Sequence, residues 1–445
     1  MQTIAAISTP PGMGAVGIVR LSGSDAVAIA GRVFRPLNTR ACLSRLGGYR
    51  ALLGKAYDGQ QAVDEVVAFV YRATRSYTGE DVVELCCHGG VYAVRKVLRL
   101  CLDAGAQPAQ PGEFTRRAFL SGKMDLSQAE AVMDLVSAQG SGAMQAALAG
   151  REGALSKSIG EAAGRLTAHC AHIAAWCDYP EEDLAPVDAP ALGRSLGEIL
   201  SGLEALLAGY DKGRLLREGV VVAIVGRANV GKSTLMNLLM GQERSIVTDI
   251  PGTTRDIVSE RITLGGIPLN ILDTAGLRQT SDPIEREGVA RAQHALESAD
   301  LVLAVFDGSQ PLEPADRELL AQLEGRAAVA LLNKSDLAQV AELPGGVRLS
   351  ARTGKGREQL EQAVLTALDI TDTTGAIVAN ERQRLCLESA AQCLRESIDA
   401  LGSGVTLDAV GVCLDAALEH LLALTGQCAS DAVVDEVFAR FCVGK

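Results

Sequence analysis

Six apolar residues in succession, VVVAIV (220–225), run directly into GRANVGKS (226–233) and then into STLMNLLM (233–240). An unbroken apolar run of that length predicts a strand buried on both faces, and the segment after it has helical spacing. The same strand signature recurs at LNILD (269–273), LVLAVFD (301–307) and AAVALLNKSD (327–336), which predicts a parallel α/β sheet in the middle of the chain. The flanks read differently. Residues 127–215 are rich in Ala and Leu at helical spacing, with breaks expected near DYPEEDLAP (178–186) and PALG (190–193). Residues 376–401 and 405–442 are again helical in pattern, with SGV (403–405) between them. Helices on both sides of a self-contained α/β unit predict an insertion, since an inserted domain needs neighbouring termini.

Composition changes this picture only in places. At 445 residues the chain is long enough for two or three domains. Hydrophobic residues make up 48% but aromatics only 3%, so the cores must be built from Ala, Leu and Val. No run of about 18 apolar residues occurs, so no membrane span is expected. The start MQTIAAISTPPG lacks a basic segment followed by an apolar one, so no secretory signal is expected. The 11 cysteines include no C-x-x-C pair, which argues against a disulfide scaffold or zinc ribbon and fits a cytoplasmic protein. His88 beside Cys86 and Cys87, and Cys170 between His169 and His172, lack metal-ligand spacing. The net charge of −12 is uneven, at +5 over residues 1–126 and −17 over the remainder. A mildly basic N-terminal part suits an anionic ligand or RNA, or is a patternless surface imbalance.

GRANVGKS is the pattern G-x-x-x-x-G-K-[S/T], with Gly226, Gly231, Lys232 and Ser233 at the required spacing. Backbone N–H groups of such a loop cradle a triphosphate, the Lys reaches its β/γ-phosphates and the Ser hydroxyl meets Mg²⁺. Downstream parts follow in order. Asp273, Thr274, Ala275 and Gly276 form DTAG at a strand end, where the Asp holds Mg²⁺ through water and the Gly N–H senses the γ-phosphate. PGTTRD (251–256) lies between, and Thr254 is placed to add a second hydroxyl to Mg²⁺. NKSD (Asn333, Lys334, Ser335, Asp336) ends the last strand. An Asp accepts two hydrogen bonds from guanine N1–H and its 2-amino group, which adenine cannot offer. SAR (Ser350, Ala351, Arg352) can present an N–H to guanine O6. Together these predict a GTPase. Leu277 stands where many GTPases carry a water-orienting Gln, so another group must hold the water. Asn229 either helps hold a monovalent cation near the phosphates or simply shapes the loop.

TPPGMGAVGIVRLSG (9–23), SYTGEDVVELCCHGG (76–90), PGEFTRRAFLSGKMDLSQAEAV (111–132), TDIPGTTRD (248–256) and the ending FCVGK (441–445) carry a further signal. With them the chain resembles, essentially end to end, the MnmE (TrmE) family of bacterial tRNA-modification GTPases, among the TrmE-Era-EngA-YihA-Septin-like GTPases. GTPase motifs alone would not separate it from ribosome-assembly GTPases without folate chemistry; the flanking stretches do.

The resemblance implies a fold in three parts: an N-terminal α/β domain for tetrahydrofolate binding and dimerisation (1–120), a discontinuous helical domain (121–215 and 373–445) and an inserted Ras-like P-loop domain (216–372). It implies GTP contacts from Asn229, Val230, Gly231, Lys232, Ser233 and Thr234, from Thr248, Asp249, Ile250, Pro251, Gly252, Thr253 and Thr254, and from the DTAG, NKSD and SAR residues above. It implies Mg²⁺ on Ser233 and Thr254, and K⁺ on Asn229 with carbonyls of Thr248, Ile250 and Thr253. Glu285 matches the acid that positions the attacking water, and Lys232 belongs to the same catalytic set. Pro251 replaces an Ala common in the family; it stiffens the loop and removes one N–H. Arg20, Glu84, Lys123 and Lys445 match the site of a 5-formyl- or 5,10-methylene-tetrahydrofolate. Cys442 is a catalytic thiol near the folate or a packing thiol. The implied activity is K⁺-activated GTP hydrolysis coupled to modification of the tRNA wobble uridine. The implied partners are a second copy of the chain, tRNA, and the FAD-dependent MnmG (GidA) in a heterotetramer.

Overall fold

A computed structural model describes residues 1–179, 185–241, 258–272, 298–370 and 375–445. These residues form two compact units, Met1–Met133 with Leu421–Lys445, and Asp134–His420.

The first unit is built on a seven-stranded sheet of order β3-β4-β5-β6-β2-β1-β7. Its strands are β1 (Ile4–Ile7), β2 (Val16–Ser22), β3 (Phe34–Pro36), β4 (Arg50–Asp58), β5 (Gln61–Tyr71), β6 (Val82–His88) and β7 (Gln107–Pro108). Alternation decides which face is covered. Val19, Leu21, Val66, Ala68, Val70, Val83 and Leu85 point one way and pack with Ile29, Ala30, Val94 and Val97 of helices Ala26–Val33 and Val91–Asp103. The intervening residues, including Arg20, Phe69 and Glu84, point the other way. Arg20 lies directly opposite Glu84 in the β2–β6 register.

The chain's end returns to this unit. Helix Asp431–Ala439 brings Val434, Phe438 and Phe441 onto Leu126 and Ala129. Val443 then pairs with Pro111, and the Phe114 N–H donates to Lys445 O at 3.1 Å. Gly444 has φ +99°, and a Cβ there would lie 2.3 Å from Ile7 O, so no other residue fits without moving that strand end.

The second unit carries a six-stranded sheet of order β13-β12-β11-β8-β10-β9. The strands are β8 (Val220–Val225), β9 (Val258–Leu264), β10 (Ile267–Leu272), β11 (Leu301–Asp307), β12 (Ala328–Asn333) and β13 (Val347–Arg348). All pairings are parallel except β9 with β10. The unbroken apolar runs have their physical reason here, because apolar clusters cover both faces of this sheet.

Helices Ser141–Arg151, Ala154–Asp178, Ala189–Ala208, Tyr210–Glu218, Glu381–Gly402 and most of Leu407–Thr425 complete the unit. The break expected at PALG is not there. Asp188 caps the Ala191 N–H, and Pro190 sits in the first turn, where it has no amide hydrogen bond to lose, so the sequence starts a helix.

Candidate functional sites

The loop between β8 and helix Lys232–Met240 lies at the carboxyl end of a strand in the interior of the sheet, where open α/β sheets bind ligands. Gly231 has φ +102°, and a Cβ on it would meet Asn333 Nδ2 at 2.2 Å. Asn229 also has a left-handed backbone, φ +63°, and its side chain is exposed. Lys232 Nζ donates to Gly226 O at 2.7 Å and Arg227 O at 2.6 Å, so loop carbonyls hold the ammonium in place. Burial pushes its pKa below the ordinary lysine value. Ser233 and Thr234 are exposed in the first turn of the helix that follows the loop.

The base-reading loop is tied to the phosphate loop by one buried side chain. Asn333, 3% exposed, donates from Nδ2 to Val230 O at 2.8 Å and accepts at Oδ1 from the Ala351 N–H at 2.9 Å. Ser350 Oγ donates to Asp336 Oδ1 at 2.7 Å, and Arg352 lies 3.8 Å from its other oxygen. The Ser350 hydroxyl, foremost, holds the Asp336 carboxyl below its usual range. Thus NKSD, SAR and the phosphate loop, read separately from sequence, converge. Thr248–Thr254, Asp273–Gly276, Leu277 and Glu285 lie outside the described residues.

Two supports went unread in the sequence. Lys334, at φ +63°, is gripped by Asp307 Oδ2 at 2.5 Å, and Asp307 also accepts from the Ser309 N–H and hydroxyl. Burial opposes ionisation of Asp307, but Lys334 and Ser309 outweigh it and keep its pKa low. Arg227 reaches from the phosphate loop to Asp316 at 2.8 Å and Glu313 at 2.5 Å, on the first turn of helix Pro314–Gln322. The only sequence signal was an acid at a buried strand end in the first case and a charged variable position in the second.

The second site lies in the first unit. Arg20 sets Nε and a terminal nitrogen each 2.9 Å from Glu84 Oε1, while Tyr71 donates to Glu84 Oε2 at 3.3 Å. A carboxylate has about four acceptor positions, so Glu84 keeps capacity for a ligand's N–H groups. Arg20 also donates to Gly444 O at 3.4 Å and stands 5.6 Å from the Phe114 ring centre. That places the terminal Lys445 beside the pair. Burial and the Glu84 charge raise the pKa of Tyr71. Lys123 is exposed and donates to Thr74 O; no described contact joins it to Arg20 or Glu84. Cys442 is exposed, three residues from Lys445, with its carbonyl accepting from Gly112 N–H at 3.3 Å. All 11 cysteines are free, and His88 is paired with Asp64 at 2.6 Å, not with the neighbouring thiols. Among the described residues no cluster of three or more His, Cys, Asp or Glu is arranged for a metal, and no helix is long and apolar enough to cross a membrane.

A P-loop of this geometry, joined through Asn333 to the loop that carries SAR and followed by NKSD on a Ras-like sheet, is that of a GTP-hydrolysing P-loop protein. Comparison with known proteins narrows the class. The family model for the MnmE helical domain matches residues 126–442, and that for the GTP-binding protein TrmE N-terminus matches residues 3–123. The tRNA modification GTPase MnmE of Symbiobacterium thermophilum is 45% identical, covering 100% of this chain and 99% of that protein. Those of a Synechococcus strain and Geobacillus kaustophilus are 44% and 42% identical, again over 100% of this chain and 98% and 99% of theirs. This chain therefore belongs to the MnmE family of tRNA modification GTPases. Among solved structures, Aquifex aeolicus Era bound to GDP and AlF4⁻ is 26% identical, with TM-score 0.27, over 39% of this chain and 66% of that one. The G domain of the Thermotoga maritima FeoB iron transporter is 29% identical, with TM-score 0.25, over 33% and 98%.

Proposed function

We propose that this chain is a K⁺-activated GTPase that works with an FAD-dependent partner of the MnmG (GidA) kind. Together they add an aminomethyl or carboxymethylaminomethyl group to C5 of the tRNA wobble uridine. A bound tetrahydrofolate supplies the one-carbon unit. The observation that carries this reading is the Arg20–Glu84 pair closed over by the chain's own C-terminus. Glu84, oriented by Arg20, accepts from the pterin's amino and ring N–H groups, and Lys123 and Lys445 supply positive charge for its anionic glutamate tail. Cys442 is the exposed nucleophile nearest the terminus, and the reading gives it either a chemical or a packing role.

In the GTPase part, Asn229 turns an exposed amide toward the phosphates, with carbonyls of Thr248, Ile250 and Thr253 completing a K⁺ site. Ser233 and Thr254 hold Mg²⁺. A cation at Asn229 supplies the positive charge that an arginine finger supplies elsewhere. Glu285 orients the attacking water, the task that Leu277 cannot do. The G domains of two copies pair when cation and nucleotide are bound. The proposed domains are 1–120, 121–215 with 373–445, and 216–372, in a cytoplasmic homodimer.

Hydrolysis is proposed to drive a conformational cycle, and the β9–β10 hairpin supports this. It joins the segment containing Thr248–Thr254 to the one containing Asp273–Gly276. Its tip is held against the start of helix Ser141–Arg151. Gly142 N–H donates to Gly266 O at 3.2 Å, Thr263 Oγ1 donates to Gln139 O at 3.2 Å, and a Cβ on Gly140 would lie 2.1 Å from Gly266 O. Any movement of the hairpin must displace that helix or break these contacts.

Nucleoside mass spectrometry of tRNA from cells lacking the protein tests the reading. Loss of the C5 substituent at the wobble uridine is the expected result; wobble uridines unchanged from those of cells that have the protein would remove the reading in favour of a GTPase without one-carbon chemistry.

A further inference from the structure

Between Asp25 and Asp58 the chain carries six Arg or Lys and no acidic residue. The fold concentrates part of this charge. Arg72 donates to Leu46 O at 3.0 Å and Ser44 O at 2.8 Å, which fixes segment 43–46 beside the turn at 72–75. The acid nearest that turn, Asp81, is neutralised by the same guanidinium at 2.8 Å. Arg45 and Arg50 therefore come to lie near Arg75, with Arg40 a few residues upstream. All four are exposed, and among the described residues their side chains make no hydrogen bond or ion pair.

An aromatic residue lies on the same stretch of chain. Tyr49 is 67% exposed although it is anchored at three points. Its N–H donates to Val70 O at 2.9 Å, its hydroxyl donates to Arg75 O at 2.6 Å, and its ring meets Tyr71 edge-on at 5.6 Å. It also holds φ +60°, a backbone region costly for a bulky residue. A rigid, exposed ring anchored to the Arg75 carbonyl, on a segment that also carries exposed Arg45 and Arg50, is an arrangement suited to stack a base and track a phosphate backbone. The ring's partner Tyr71 bonds Glu84, so this surface borders the second site.

We propose that Arg40, Arg45, Arg50 and Arg75 with Tyr49 form an RNA-contacting surface that takes unpaired nucleotides of a tRNA loop. Phosphates bind the guanidinium groups and one base stacks on Tyr49. The proposal rests on the tRNA-modifying reading above and adds where on this chain the RNA lies.

The test is tRNA binding by the full-length chain, followed by fluorescence anisotropy across a KCl series. The triple variant Arg45→Ala/Arg50→Ala/Arg75→Ala should bind at least about tenfold more weakly at low salt. The slope of log affinity against log salt should fall by about 2–3, near one per lost phosphate contact. GTP turnover should not change. Tyr49→Asn removes the ring while tolerating the left-handed backbone, and should weaken binding roughly tenfold with the slope unchanged. Unaltered affinity and slope in the triple variant would overturn the proposal, as would wild-type protein showing no salt-dependent tRNA binding. A triple variant that keeps tRNA but loses folates with several glutamates would assign the patch to an anionic cofactor tail and also overturn it. Wild-type tRNA binding combined with unchanged wobble nucleosides in the deletion strain would instead count against the modifying reading alone.

Discussion

Asn333→Ala is the sharpest perturbation of the nucleotide site, because one side chain holds two loops in register. The residue is 3% exposed and makes two bonds, 2.8 Å to Val230 O and 2.9 Å from the Ala351 N–H. Truncation leaves a carbonyl of the phosphate loop and an N–H of the base loop without these partners. A buried group left unpaired costs about 1–3 kcal/mol, so the pair is worth about 2–4 kcal/mol once partial access to water is allowed. If most of this is felt in the nucleotide-competent arrangement, GTP affinity falls by roughly 30- to 1000-fold, at about 1.4 kcal/mol per decade.

The assay is titration with a fluorescent GTP analogue at saturating Mg²⁺. Val364→Ala serves as the control, since Val364 is fully buried in the same core but belongs to helix Arg357–Ala367 and to neither loop. It should lower thermal stability by about 0.5–2 kcal/mol and leave affinity within about twofold. Asn333→Asp separates the two bonds. It keeps the acceptor for Ala351 but sets a carboxylate against Val230 O, and it should bind GTP no better than the Ala variant. An Asn333→Ala protein that binds GTP within twofold of wild type would show that the loops hold their register without this residue.

Four further outcomes follow. Asp336→Asn removes two charge-assisted bonds to guanine, so GTP should weaken by about 100-fold or more and xanthosine triphosphate should be preferred in competition binding; unchanged selectivity would dismiss Asp336 as the base reader. Asn229→Ala should abolish the excess of hydrolysis in K⁺ over Na⁺, measured by phosphate release, whereas wild-type rates equal in both salts would sink the cation site. Glu285→Ala should bind GTP normally yet turn over at least about 100-fold more slowly, and a near-normal kcat would return Glu285 to the surface. The Asp64 hydrogen bond, more than its charge, raises the pKa of His88 above 6.5. That pair therefore stabilises the fold below the unfolded value, and the contribution is lost as pH rises through the raised folded value. His88→Ala should flatten this part of the stability-versus-pH curve, read by denaturant midpoints at pH 6 and 8.

The central sheet was legible because its chemistry is local. VVVAIV, LVLAVFD and the strand ending in NKSD are each continuous in sequence, and each motif sits at the end of its own strand. What the sequence withheld is the material between motifs. Arg227 occupies a variable position of the phosphate loop, and nothing in GRANVGKS announces an ion pair with Asp316, 89 residues later. PALG misled for a related reason: Pro and Gly signal a break only if the chain is already helical, and Asp188 makes Pro190 the beginning of the helix.

The second site shows where local reading stops. Arg20 and Glu84 are charged residues of the kind that ordinarily sit on a surface, and no spacing rule links them. Their pairing follows only from the antiparallel β2–β6 register, which sets them face to face. The third member is further still, since Arg20 meets Gly444 across 424 residues of chain. Such a contact leaves one trace in the sequence, a glycine whose need for a left-handed backbone and close approach to Ile7 appears only once the fold is known. The same geometry ties the last residues to the Arg20–Glu84 pair. Phe438 and Phe441 anchor the tail by burial, Val443 pairs with Pro111, and the terminus is thereby delivered to the open side of the sheet. Truncating these few residues would therefore remove a wall of the site as well as the terminal Lys445 and Cys442, while leaving the P-loop and NKSD residues of the other unit in place.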